Sequence, residues 1–222
     1  LLKSAAGGGG KGIREVDRPE ELRDSFEQCQ REAKASFGDD SMYVEKLIRD
    51  AKHVEMQVIA DNFGHVVYLP ERDCSLQRNH QKVIEESPCI LISPEERQEL
   101  GEIVAKATLK LGYTNTGTYE FLMDHDHHFY FMEMNTRLQV EHTITEEVTG
   151  IELVKGQLAV AANEVLPFVQ ADATVKGHAL ECRLNAEDPE NNFAPQPGKI
   201  THLFFPDGSL GVRIDAGVTN GS

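Results

Sequence analysis

Glu120 in Thr118-Tyr119-Glu120-Phe121-Leu122 and Glu133 in Phe129-Tyr130-Phe131-Met132-Glu133-Met134-Asn135 are the strongest pointers to chemistry in this sequence. The polar run Asp124-His125-Asp126-His127-His128 joins the two segments. A turn centred on Asp126-His127 sets Glu120 directly opposite Glu133 on paired strands. The period of two along a strand then puts Asn135 and Arg137 on the face of Glu133. Tyr119, Phe121, Met132 and Met134 share the other face, as core. Facing carboxylates repel. A divalent cation between them removes the repulsion, and oxygen donors from Glu120, Glu133 and Asn135 suit Mg2+ or Mn2+, with phosphate or water completing the shell. Alternatively the pair is a solvated strand face whose carboxylates point apart. The His125, His127 and His128 group reads as a polar hairpin tip rather than a zinc site.

A second candidate is Gly7-Gly8-Gly9-Gly10-Lys11-Gly12. Gly7, Gly9 and Gly12 spell GxGxxG, but a strand-like piece follows where a dinucleotide-binding loop needs a helix. Gly12 also stands where a P-loop has Ser or Thr. What remains is a glycine hairpin with Lys3 at its base and Lys11 in its tip: either a cradle of N–H groups and lysines for phosphate oxygens, or a disordered tip. Two further stretches concentrate Arg, Lys, Gln and carboxylates, from Glu71 to Lys82 and from Asn135 to His142. Arg and Lys beside one carboxylate can bind a small oxyanion and move its proton. Solvated loops have the same composition.

The 222 residues suffice for one large domain or two small ones. A hydrophobic fraction of 40% and a mean hydropathy of −0.40 are those of a soluble globular protein. No apolar run approaches the roughly 20 residues that span a bilayer, and no signal-peptide pattern opens the chain. A net charge of −15 argues against nonspecific binding to nucleic acid or anionic membranes. An anionic small molecule held by local cations or a metal is not excluded. Cys29, Cys74, Cys89 and Cys182 are scattered without a CxxC pair, as expected of reduced packing thiols in a cytosolic protein.

The elements that position these groups follow from periodicity and caps. Residues 1–3 and 13–16 are strand-like. Asp17 as cap, with Pro19 and Glu20, opens a helix whose stripe is Leu22, Phe26, Cys29 and Ala33 and whose end is Gly38. Strands are expected over 42–48, 53–60 and 65–69, with Asp61-Asn62-Phe63-Gly64 as a hairpin turn. Residues 70–92 show no clean periodicity. A capped helix runs from Ser93-Pro94-Glu95-Glu96 to Gly112, strands cover 116–122 and 128–135, and a helix covers 151–162. Strands at 175–184, 199–205 and 210–214 complete an α+β pattern rather than a βαβ repeat. The chain opens on a strand and loop and stops just after a strand, as a piece of a longer protein would.

Residues 3–12, the run Glu71-Arg72-Asp73-Cys74-Ser75 through His80-Gln81-Lys82, and Glu133-Met134-Asn135-Thr136-Arg137-Leu138-Gln139-Val140-Glu141-His142 resemble the signature stretches of biotin carboxylases. Gly177-His178-Ala179-Leu180-Glu181-Cys182-Arg183-Leu184-Asn185-Ala186-Glu187-Asp188 and Pro195-Gln196-Pro197-Gly198-Lys199-Ile200 are similar to that family's C-terminal domain. The resemblance spans essentially the whole chain, in the family's order. It implies an ATP-grasp fold, with residues 1–47 in the lid subdomain, 48–170 as the core with the metal and bicarbonate site, and 171–222 as the start of the C-terminal domain.

The same resemblance implies ATP contacts from Lys3, Gly9, Gly10, the hinge Glu45, Lys46, Leu47 and Ile48, and from His53, Gln77 and His80. Glu120 and Glu133, with Asn135, would hold Mg2+ or Mn2+ against the nucleotide. Lys82, Arg137, Gln139, Val140 and Glu141 would bind bicarbonate, with Glu141 as the base, and Arg183 would stabilise the biotin enolate. The implied activity is ATP- and bicarbonate-dependent carboxylation of biotin on a carrier protein through carboxyphosphate. Implied partners are a biotin carboxyl carrier protein, a carboxyltransferase component and, as in many members, a second copy of the chain. Acetyl-CoA is the favoured final acceptor, which would place the protein in fatty acid biosynthesis in the cytoplasm. The family's N-terminal α/β domain, with another ATP-contacting lysine, lies outside this sequence, as do the first part of the lid and the end of the C-terminal domain. The 222 residues alone are therefore expected to be inactive or nearly so. Rivals are another ATP-grasp ligase, such as a carbamoyl-phosphate synthetase half, and a non-catalytic ATP-binding module. The first should lack the Arg137-to-Glu141 set coupled with Arg183.

Overall fold

The computed structural model describes residues 1–6, 12–206 and 209–222, so the Gly9 and Gly10 expectations lie outside the described residues. A small antiparallel sheet comes first: β1 (Leu2–Ser4) lies between β2 (Ile13–Arg14) and β3 (Met42–Val44). Helix α1 (Leu22–Phe37) packs against β1, with Cys29 and Ala33 buried, and ends at Gly38 with φ of 76°. Asp17 does not cap it. A 3-10 turn over Pro19–Glu21 leads in instead, and the Asp17 carboxylate is taken by the Arg49 guanidinium. The strand expected to reach residue 48 stops at Val44; Glu45 N–H still bonds to Leu1 O (2.9 Å), and beyond it no described strand lies alongside.

A seven-stranded sheet carries the rest of the first unit. Its strands are β4 (Lys52–Ala60), β5 (Val66–Tyr68), β6 (Arg72–Arg78), β7 (Gln81–Ser87), β8 (Asn115–Met123), β9 (Phe129–Asn135) and β10 (Ala179–Cys182). Their order is β10-β7-β6-β4-β8-β9, with β5 also on β4, and every pairing is antiparallel. The β6–β7 hairpin occupies the stretch without clean periodicity. Its turn residues Asn79 and His80 both take left-handed φ values, 52° and 61°, the pairing that a two-residue hairpin needs.

Helices α2 (Pro94–Leu111), α3 (His142–Thr149) and α4 (Leu153–Ala161) cover the sheet. Helix α2 opens on the expected capping box, Ser93 with Glu96, and closes at Gly112 with φ of 62°. Met56, Val58, Tyr119 and Phe121 form one core with Leu100 and Val104 of α2. Ile59, Val67 and Leu69 form a second with Ile151, Leu153, Val160 and Leu166 around α4. The side of β4 that bears Ile59 also bears Glu55 and Gln57, because alternate residues share a face. Apolar packing covers one end of that face. Its other end is charged.

Residues 183–222 form a separate compact unit. Strands β11 (Glu187–Asp188) and β12 (Ala194–Pro195) pair there. The strands expected at 199–205 and 210–214 do not form among the described residues, and the long strand expected over 175–184 reduces to β10. Phe204 is 79% exposed and Leu210 fully exposed, so their apolar pattern has no sheet to face. Ile200 exchanges backbone bonds, 2.8 Å each, with Gly221 and Ser222. Among the described residues no helix is long and apolar enough to cross a membrane.

Candidate active site

The strand register aligns four charged residues in one row. Arg72 of β6 pairs with Glu55 of β4, Glu55 with Glu120 of β8, and Glu120 with Glu133 of β9. Gln57, Thr118 and Asn135 form the next row on the same face. Three neighbouring carboxylates on paired strands oppose sheet formation. They persist because cations reach in: Arg72 from the end of the row and Lys82 from β7.

The Glu120–Glu133 pairing expected from sequence is present, but a β-bulge produces it. Met123, Leu122 and Phe121 pair with Phe129, Tyr130 and Phe131 around the turn of residues 124–128, and the register shifts by one between Phe121 and Glu120. Without that shift Glu120 would face Met132, and Glu133 would turn to the opposite side of the sheet. Met132 is the extra residue, so Phe131 rather than Met132 meets the expected core face. Its ring lies 6.2 Å from Tyr119 and 5.9 Å from Phe121, centroid to centroid. Asp124 organises the turn by accepting N–H bonds from Asp126 (3.0 Å) and His128 (2.9 Å).

Lys82 is the hub. Its Nζ donates to Glu120 (2.9 Å), to Glu141 (2.7 Å) and to Glu55. Burial favours a neutral lysine, but Glu55 above all, then Glu141 and Glu120, push its pKa far above the ordinary value. Glu120 is 4% exposed; one of its oxygens lies 3.0 Å from His53 Nε2, and the other accepts from Lys82, Asn135 (2.8 Å) and Gln139 (2.7 Å). Burial would raise its pKa; the adjacent His53 ring and the Lys82 charge outweigh burial and hold it at about 2. Glu141, 2% exposed, is the residue from which α3 starts.

Around this hub, Gln77 Nε2 lies 2.8 Å from His53 Nδ1, and Arg137 Nη2 donates to Asn135 Oδ1 (3.2 Å). Thus Lys82, Glu120, Asn135, Gln139, Glu141, His53, Gln77 and Arg137 are one connected set. Glu133 sits at the end of the row, exposed and without a hydrogen-bond or ion-pair partner among the described residues. Lys3 and Glu45 form an ion pair of their own (3.2 Å), and Lys46 lies 5.8 Å over the Tyr130 ring. Leu47 and Ile48 are half-buried, while His80 is exposed at its turn and Val140 is 59% exposed. None of these last four joins the connected set through its side chain. Arg183 begins the second unit.

Sequence reasoning missed Glu55, Gln57 and Thr145, and gave Arg72, inside a candidate stretch, no role of its own. The signal for the first two was His53-Val54-Glu55-Met56-Gln57, polar at every second position between apolar residues of one strand. Glu55 and Arg72 are both fully buried. The permanent cations Arg72, Lys82 and Arg137 match the carboxylates of Glu55, Glu120 and Glu141 in number, and Glu133 leaves one negative charge over. Ligand atoms of His53, Glu55 and Glu120 also converge within 4.8 Å. Such oxygen-rich, net-negative surroundings fit a hard divalent cation.

Sheet, helices and charged row define an ATP-grasp fold. The chain superposes along its whole length on the biotin carboxylase domain of Hydrogenobacter thermophilus 2-oxoglutarate carboxylase, solved as a dimer with MgADP, ADP and bicarbonate (TM-score 0.96, 45% identity, 49% of that chain). A biotin carboxylase from Campylobacter jejuni, solved with a β-γ-ATP ligand, gives a TM-score of 0.95 at 46% identity, again over the whole of this chain and 49% of that one. The profile described as carbamoyl-phosphate synthase L chain, ATP binding domain, matches residues 1–169, and that of the biotin carboxylase C-terminal domain matches 181–222. The chain belongs to the biotin carboxylase family. Curated relatives include the biotin carboxylase of Haemophilus influenzae, 51% identical over 221 residues, and the mitochondrial methylcrotonoyl-CoA carboxylase subunit alpha of Mus musculus, 50% identical over the same length. All of this chain aligns with each, and it spans 49% and 31% of their lengths.

Proposed function

We propose that the protein containing this chain uses MgATP to activate bicarbonate and carboxylates biotin held on a carrier protein. One observation carries the reading: Lys82, Gln139 and Glu141 converge beside Glu120 in a buried, net-negative cluster. Glu141 takes the bicarbonate proton, and Lys82 and Arg137 absorb charge as bicarbonate attacks the γ-phosphate in line, breaking its bond to the β-phosphate so that ADP leaves and carboxyphosphate forms. Gln139 and the main chain of Val140 complete the bicarbonate contacts. Glu120, Glu133 and Asn135 would hold Mg2+ or Mn2+, which when bound neutralises the phosphate oxygens. Carboxyphosphate then yields CO2 and phosphate, the phosphate takes the N1′ proton of biotin, and Arg183 steadies the enolate that CO2 carboxylates. Lys3, Gly9, Gly10, Glu45, Lys46, Leu47, Ile48, His53, Gln77 and His80 contact the nucleotide. Residues 1–47 serve as lid, 48–170 as core and 171–222 as the start of the C-terminal domain.

Phosphate release that requires bicarbonate and rises with free biotin tests the proposal in the full protein. Glu141→Gln should lower that rate by about 10²–10⁴-fold, the usual worth of a general base, and keep MgATP binding. ATP cleavage indifferent to bicarbonate, or binding without turnover, would instead identify a different ligase or a binding module. For the later half-reaction we propose acetyl-CoA as acceptor, with a carboxyltransferase component, a homodimeric carboxylase and a cytoplasmic setting. Relatives named for methylcrotonoyl-CoA and pyruvate carboxylases are each 50% identical, so transfer of labelled bicarbonate to the three acceptors by the holoenzyme decides.

A further inference from the structure

Arg72 is fully buried, closed off from solvent. Its guanidinium nevertheless reaches four side chains on three parts of the fold. Nε donates to Glu55 Oε1 (2.5 Å), Nη1 to Gln57 Oε1 (3.1 Å) and Thr145 Oγ1 (2.9 Å), and Nη2 to Gln139 Oε1 (3.0 Å). A guanidinium only donates. It therefore fixes which end of each partner faces it, and so which end faces the site.

The consequences run through atoms already described. With its oxygen held by Arg72, Gln139 must present its NH2 group outward, where it donates to Glu120 Oε1 at 2.7 Å. With Oε1 occupied, Glu55 has Oε2 left for Lys82. The bond to Thr145 ties α3 to the sheet one turn after Glu141, which fixes that carboxylate over Lys82 (2.7 Å). Lys82, Gln139 and Glu141 are all residues assigned above to bicarbonate. The nucleotide-side groups Lys3, Glu45, Lys46 and Gln77 have no bond to Arg72.

We infer that Arg72 is a positioning residue for the bicarbonate half of the site, acting through Gln139, Glu55 and the α3 anchor Thr145. The inference rests on the function proposed above. Lysine retains the charge but cannot form the planar fork. Arg72→Lys should raise the KM for bicarbonate by about ten- to a hundredfold, as loss of supporting partners commonly does, with the KM for MgATP nearly unchanged. Paired with Gln139→Met, the two effects should be strongly non-additive, because one acts through the other. Thr145→Val removes a single acceptor at constant volume and should give a smaller shift of the same kind. It keeps the inference testable if Arg72→Lys does not fold.

Arg72→Lys and Thr145→Val proteins that melt normally and show an unaltered bicarbonate KM would overturn the inference, as would equal losses for bicarbonate and MgATP. If the unmodified protein cleaves ATP without needing bicarbonate, the proposed function itself falls. That outcome is read on the wild type alone and is separate from the first.

Discussion

Lys82 is held by three carboxylates, and the sum of their fields makes it a fixed cation rather than a proton carrier. In the function proposed above, the base is therefore Glu141 and not the lysine. Glu55 contributes most to the raised lysine pKa, after burial has pulled the other way. Wild-type protein should show no loss of bicarbonate-dependent rate from lysine deprotonation up to about pH 10, near the ordinary lysine value. Glu55→Gln should bring such a loss into the measurable alkaline range. Superimposable pH–rate profiles would remove Glu55 from control of that charge. Glu120 has the opposite sign. Its folded pKa of about 2 lies below the ordinary 4.5, so its contribution to stability is complete above pH 4.5 and is lost as pH falls towards 2. Between those limits the urea midpoint of Glu120→Gln should fall less steeply with acid than that of the wild type. Parallel slopes would show that the carboxylate is not the group protonated.

Elements are placed here by close contacts that sequence reveals unevenly. Gly101 lies mid-way along α2, and a Cβ there would sit 2.2 Å from the Tyr68 ring of β5. Alanine would gain up to about 1 kcal/mol of helix propensity. Overpacking a buried contact costs about 1–3 kcal/mol, so Gly101→Ala should lower the urea midpoint without changing the m-value. A midpoint at or above wild type would mean that Tyr68 swings aside freely. The ends of α2 were legible because Ser93, Glu96 and Gly112 act through neighbours in sequence. The β6–β7 hairpin was not, because Arg72, Asp73 and Glu85 are buried polar residues that break the usual alternation. Helix α3 was hidden by β-branched Thr143, Ile144, Thr145, Val148 and Thr149, whose weak propensity is offset by burial and by the Arg72 bond. The facing pair Glu120 and Glu133 was legible, although the bulge that completes its register was not; a one-residue shift leaves no mark in composition.

At the scale of the whole molecule, a chain of net charge −15 gathers three carboxylates into one row of its central sheet. Two of them, Glu55 and Glu120, are answered by Arg72 and Lys82, but Glu133 is exposed and has no partner among the described residues. In the ligand-free protein Glu133 thus contributes repulsion and little else. If its purpose is to share a divalent ion with Glu120, its value appears only when nucleotide is bound. A ligand at a hundred times its Kd stabilises the native state by about 2.7 kcal/mol, which for a chain of this size is roughly 5–10 °C in Tm. MgATP should raise the Tm of the full protein by a smaller amount, because the same free energy shifts a longer chain less, and ATP with EDTA should produce far less still. Glu133→Gln should melt at or slightly above the wild-type temperature without ligand, since a like-charge neighbour of Glu120 is removed, and should lose most of the MgATP shift. A lower ligand-free Tm would assign Glu133 to the fold. A full MgATP shift in the variant would take the nucleotide's metal away from this row, and with it the physical reason for leaving an unpaired carboxylate beside Glu120.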